Sequence, residues 1–129
     1  MGKRVLLAED REENARPIRE ALTAAGYSVT SVRNGAECCR AANEAPPDLV
    51  VLEAQMPVLD GLTTLQMLRE HPGTESLPVI MLSETEMEQA GRLGWAAAAD
   101  MHLLRPVSPR AVVAAANYLL HRTARWPSG

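Results

Sequence analysis

Four short, nearly unbroken apolar runs punctuate the chain: Val5-Leu6-Leu7-Ala8, Leu49-Val50-Val51-Leu52, Val79-Ile80-Met81-Leu82 and Met101-His102-Leu103-Leu104. Runs of this length without polar alternation fit strands buried on both faces of a sheet. A fifth strand is predicted over 28–32. Between the strands the period changes. Ala15, Ile18, Leu22 and Ala25 recur at spacings of three and four, which predicts a helix over about 12–25, with Pro17 in or near its first turn and Gly26 as its stop. Asn34-Gly35 marks a turn, and a helix over 36–44 closes at Pro46-Pro47. Leu62, Leu65 and Leu68 share one face of a helix over 61–70, ended by Pro72-Gly73. Further helices are expected over 86–93 and 109–120, the latter with Ser108 as N-cap and Pro109 at its first position. Five β-then-α units in a row imply a parallel sheet with helices on both faces. We expect one domain over 1–122 and a frayed polar tail over 123–129.

Composition narrows this little. A chain of 129 residues holds one core, and with no Phe, two Trp and two Tyr that core is aliphatic. The net charge of −3 gives no reason to expect nucleic-acid binding. No apolar stretch approaches the roughly 18 residues of a membrane span. Met1-Gly2-Lys3-Arg4 runs directly into a short strand, and Leu6 stands where a myristoylation signal needs Ser or Thr. A cytoplasmic location is expected. Cys38 and Cys39 are neighbours on a helix and point in different directions, so they read as small fillers and not as a bridge.

The polar residues at the strand ends are more informative. Glu9-Asp10 follow the first strand, Glu53 ends the third, Ser83 ends the fourth and Arg105 follows the fifth. An open α/β sheet builds its site at this carboxyl edge. Asp48 and Asp60 look structural, at a strand start and a helix start. His71, His102 and His121 lie on different elements and show no metal-ligand spacing.

From Lys3 to about His121 the chain resembles the receiver domains of two-component response regulators. The resemblance is carried by Glu9-Asp10, Asp48-Leu-Val-Val-Leu, Met56-Pro57, Asp60-Gly61, Pro78-Val-Ile-Met-Leu-Ser83 and Arg105-Pro106, all in family order. It implies a flavodoxin-like (βα)5 doubly wound sandwich, a five-stranded parallel sheet of order 2-1-3-4-5. It also implies that the acidic pair holds Mg²⁺, that an aspartate ending the third strand accepts a phosphoryl group from a histidine kinase, and that a hydroxyl ending the fourth strand and a lysine ending the fifth contact that group. Glu9 and Asp10 match the acidic pair and Ser83 the hydroxyl. Glu53 stands in place of the aspartate, Arg105 in place of the lysine, and His102 where an aromatic switch residue is common.

Glu53 reaches one methylene further than aspartate, and in-line transfer depends on the placement of the attacking oxygen. Arg105 is permanently charged, with a fork suited to carboxylates. We therefore expect Arg105 to contact Glu53, Asp10 or both and to take over neutralisation from a metal. Glu9, Asp10 and Glu53 remain candidate ligands for weakly held Mg²⁺, and no cofactor is required. The expected function is that of an atypical receiver, not an enzyme, acting as a phosphorylation-independent protein-interaction module. The alternative is a working phosphorelay receiver. A flavodoxin-like cofactor binder ranks below both, since the acidic loop Glu9-Asp-Arg-Glu-Glu13 repels phosphate. Partners would be a histidine kinase or output protein, or a second copy through the fourth helix, fifth strand and fifth helix. The resemblance implies that face, and the largely apolar segments 95–99 and 111–120 fall on it.

Overall fold

The computed structural model describes residues 2–84 and 98–121. The chain forms β1 (Arg4–Ala8), α1 (Glu12–Ala24), β2 (Ser28–Val32), α2 (Gly35–Glu44), β3 (Leu49–Glu53), α3 (Gly61–Glu70), β4 (Val79–Ser83), β5 (Met101–Leu104) and, as the last described helix, α4 (Pro109–Leu120). The helix expected over 86–93, Trp95 and its neighbours through Ala97, and the tail from 122 lie outside the described residues.

All five strands are parallel, in the order β2-β1-β3-β4-β5. The sequence order changes direction at β1 and β3, so the crevice between their carboxyl ends is the natural place for a site. The continuously apolar strands are explained by two cores. On one face Val5, Leu7, Leu49, Val51, Ile80 and Leu82 pack under α1 and α4. On the other Leu6, Ala8, Val50, Leu52, Val79 and Met81 pack under α2 and α3. Alternate residues of one strand thus feed opposite cores.

Helix starts are set by short polar side chains. The side chains of Asn34, Asp60 and Ser108 accept hydrogen bonds from the N–H groups of Glu37, Thr63 and Ala111. Asp48 accepts from the N–H of Arg4 at 2.7 Å, tying β1 to the start of β3. Helix α1 has no side-chain cap, and Glu12 and Glu13 in its first turn complement its positive end. Pro17 sits deeper than expected, inside α1 and past its first turn.

The apolar surplus of the last helix is mostly used internally. Val112, Ala115, Ala116 and Leu119 are buried, and Val113, Tyr118 and Leu120 pack at the margin of the same core. Ala98 and Ala99 likewise pack against the α2–α3 core. Cys38 is buried, and burial pushes its thiol up to about 12. A thiol held so far from ionisation is inert packing material.

Candidate functional site at the carboxyl edge

The site begins where the strand ladder ends. Backbone pairing continues one residue beyond three strands: Glu9 donates to the Val32 carbonyl at 3.1 Å, Ala54 to Leu82 at 2.8 Å, and Arg105 to Ser83 at 2.8 Å. These bonds fix the backbones of Glu9 and Arg105 as firmly as strand residues. Glu53 closes β3 and is registered against Leu82, and Ser83 against Leu104. Four polar residues from four strands are thereby brought to one edge.

The turn after β3 is equally constrained. Gly61 donates to the Ala54 carbonyl at 2.8 Å. A Cβ on Gly61 would lie 2.2 Å from the Glu53 carbonyl oxygen, so only glycine lets α3 start this close to the strand. Between them Leu59 donates to Pro57 at 2.7 Å across Val58, whose φ is 69°. That is a γ-turn of the rare, strained sign.

Glu9 and Glu53 are each only 4% exposed, and Ser83 2%. Two carboxylates this buried need compensation. Arg105 supplies it with two N–H groups: Nε donates to Glu53 Oε1 at 2.7 Å and Nη2 donates to Glu9 Oε1 at 2.6 Å. The outer oxygens are also engaged. The Arg11 N–H donates to Glu9 Oε2 at 3.1 Å and the Gln55 N–H to Glu53 Oε2 at 3.3 Å. Burial pushes the Glu9 carboxyl up to about 7 from an ordinary 4.5, the nearby Glu53 and Asp10 adding to it, against the downward pull of the Arg11 N–H and of Arg105.

The pairing expected for Arg105 is found for Glu53. Its second partner is Glu9, and Asp10, half-buried, stands near Glu9 and helps to push its carboxyl up. Ser83 is at the edge, its carbonyl bound by Arg105. His102 pairs in register with Met81. Met101 and Leu103 pack on the α1–α4 core, so strand alternation turns His102 to the opposite face. A cleft of about 330 Å³ opens over the network, lined among others by Asp10, Asn14, Met56 and Glu84. The N–H groups of Arg11 and Gln55 have no side-chain signature, so only the folded backbone reveals them.

A family model for the response regulator receiver domain matches residues 5–117. The chain belongs to that family. It is 32% identical over 123 residues to the alkaline phosphatase synthesis transcriptional regulatory protein PhoP of Bacillus subtilis, covering 95% of this chain and 50% of that protein. It is 31% identical to the polar-differentiation response regulator DivK of Brucella anthropi, covering 92% of this chain and 98% of that one. The chain spans about half the length of most of the curated relatives it matches. Among solved structures, a response regulator from Chloroflexus aurantiacus superposes with a TM-score of 0.86 at 28% identity, covering 95% of this chain and all of that one. The receiver domain of a Pseudomonas aeruginosa sensor histidine kinase, with magnesium coordinated in its active site cleft, superposes with a TM-score of 0.83 at 25% identity, covering 94% and 99%. The protein is therefore a receiver domain of two-component signalling, with the fold that this family shares.

The neighbour's magnesium raises the question of fit here. The gap between Glu9 and Glu53 is filled by the guanidinium edge, and all four of their carboxylate oxygens already accept an N–H. Among the described residues no three His, Cys, Asp or Glu side chains are placed to hold a metal ion. In this arrangement the residues do not fit a divalent cation. No helix among the described residues is long and apolar enough to cross a membrane.

Proposed function

We propose that this receiver domain works as a protein-interaction module that does not accept a phosphoryl group. Glu53 occupies the acceptor position, Ser83 that of the hydroxyl, Arg105 that of the lysine and His102 that of the switch aromatic. The observation that carries the reading is the guanidinium of Arg105 bridging Glu53 and Glu9 at 2.7 and 2.6 Å.

Phosphoryl transfer is mostly positioning and charge neutralisation. The longer Glu53 side chain moves its oxygens into the space of the incoming group. One of those oxygens is committed to Arg105 and the other to the Gln55 N–H. Neither is presented as a free nucleophile. A carboxylate tied to a permanent cation also has no charge step left by which to switch. The partner is a signalling protein of the same pathway, a histidine kinase or an output protein, recognising a surface whose state is set by something other than phosphate.

The open 330 Å³ cleft over the same residues favours a second reading, a working phosphorelay receiver. One measurement separates the two. The wild-type protein is incubated with acetyl phosphate and Mg²⁺ and its intact mass is recorded. The expected result is no mass increase. A base-labile phosphoryl adduct on Glu53 would establish the second reading instead.

A further inference from the structure

We propose that the Arg105 guanidinium is the resident cation of this cleft, filling the place between Glu9 and Glu53 and so excluding a divalent metal ion. The inference rests on the reading above and concerns how the same site is held.

Any ion bridging Glu9 Oε1 and Glu53 Oε1 must sit within about 2.0–2.1 Å of both if it is Mg²⁺. The Nε–Cζ–Nη2 edge of Arg105 already lies across that position, with one nitrogen on each oxygen. Both carboxyl groups are almost fully buried, so whenever they are ionised together the fold needs a positive charge beside them. Arginine meets that need permanently, because it does not deprotonate in a protein. It is also tethered. The Arg105 N–H is bound to the Ser83 carbonyl at 2.8 Å, immediately past the β5 pairing. A free ion must displace a competitor held at high effective concentration, and it gains no oxygen of Glu9 or Glu53 that lacks a donor. The acidic pair is thereby split: Glu9 serves Arg105, and Asp10 alone is too few ligands for a site. The same guanidinium ties the ends of β1, β3 and β5 together.

The test compares wild type with Arg105→Ala and Arg105→Lys, at constant ionic strength and pH 8. Mn²⁺ serves as the probe, read by paramagnetic broadening of the amide resonances of residues 9–11 and 53–55. Thermal unfolding with and without Mg²⁺ provides a second readout. The wild type should show no site-specific broadening at millimolar Mn²⁺ and no Mg²⁺-dependent rise in Tm. Arg105→Ala should unfold at lower temperature without metal, bind Mn²⁺ at least about tenfold more tightly, and recover Tm as Mg²⁺ is added. If the alanine variant fails to fold, Arg105→Lys carries the test. It keeps one charge but gives up the fork, so it should also gain metal binding. Wild-type binding as tight as that of the variants would overturn the inference. So would the absence of metal binding in every folded variant. A wild type that binds Mg²⁺ yet takes no mass increase from acetyl phosphate removes this inference and leaves the proposed function standing. A phosphorylated wild type removes the proposed function itself.

Discussion

Val58 is the residue whose local conformation most plainly opposes its chemistry. It is β-branched, 80% exposed, and held at a φ of 69° at the centre of a γ-turn. A left-handed conformation costs an L-residue roughly 1–2 kcal/mol, and more when Cβ is branched. Its exposed side chain recovers little of that by burial. Replacing it by glycine removes the strain and adds about 0.5–1 kcal/mol of unfolded-state entropy cost. Val58→Gly should therefore stabilise the domain by about 1 kcal/mol, seen as a higher urea midpoint at unchanged slope. A variant that is no more stable would mean that Val58 makes a contact that holds it there.

Glu9 predicts a pH dependence with a definite sign. Its folded value, about 7, lies above its ordinary 4.5. Between those limits the folded state holds a proton that the unfolded chain has released, so stability falls as pH rises. The contribution is fully present below about 4.5 and gone above about 7. Urea midpoints across that window should decline in wild type, and Glu9→Gln should flatten the part of the decline that Glu9 causes. Parallel curves for the two proteins would refute the assignment.

At the scale of the element, α1 contains its own fault. Pro17 lies well inside a helix running from Glu12 to Ala24. It offers no N–H to the Glu13 carbonyl one turn back, and its ring crowds that carbonyl. Interior proline costs about 3 kcal/mol in an ordinary helix. Here Pro17 and Glu13 are both exposed, so water can satisfy the orphaned oxygen and the cost is smaller. Pro17→Ala should raise stability by about 1–3 kcal/mol, measured by urea or thermal unfolding. The sequence could not place Pro17 well, because proline is favoured at helix starts and the uncapped Arg11 leaves no marker of where this helix begins. The other elements were legible to within a residue. Gly26, Asn34, Asp60 and Ser108 bound them with local chemistry, and four of the five strands were nearly continuous apolar runs. The helix expected over 86–93 lies outside the described residues.

For the whole molecule, the legible part of the site was its inventory. Strand ends in a parallel sheet converge, so Glu9, Asp10, Glu53, Ser83 and Arg105 could be assigned to one edge from order alone. The pairing was legible by half: Glu53 was expected to meet Arg105 and does, whereas Glu9 and not Asp10 is the second partner. Residues 9 and 10 lie past the end of β1, where both faces are buried and no alternation shows which acid turns inward. Only the ladder bond from Glu9 to Val32 decides it. This division between scaffold and chemistry makes a final prediction. The backbone positions of Glu9, Glu53 and Arg105 come from ladder bonds and from the close approach of Gly61, none of which involves the side chains of Glu53 and Arg105. Glu53→Asp with Arg105→Lys should then leave the fold intact. The acceptor oxygen would retract by a methylene, Glu9 would lose the fork that occupies it, and a point charge would replace the fixed bridge. The double variant should gain a base-labile phosphoryl adduct, visible by intact mass, on incubation with acetyl phosphate and Mg²⁺. Each single variant should gain less, because aspartate alone still faces the guanidinium and lysine alone still faces the longer carboxylate. A well-folded double variant that stays unlabelled would show that Glu53 and Arg105 do not by themselves decide whether this cleft takes a phosphoryl group, and that the loops around it contribute.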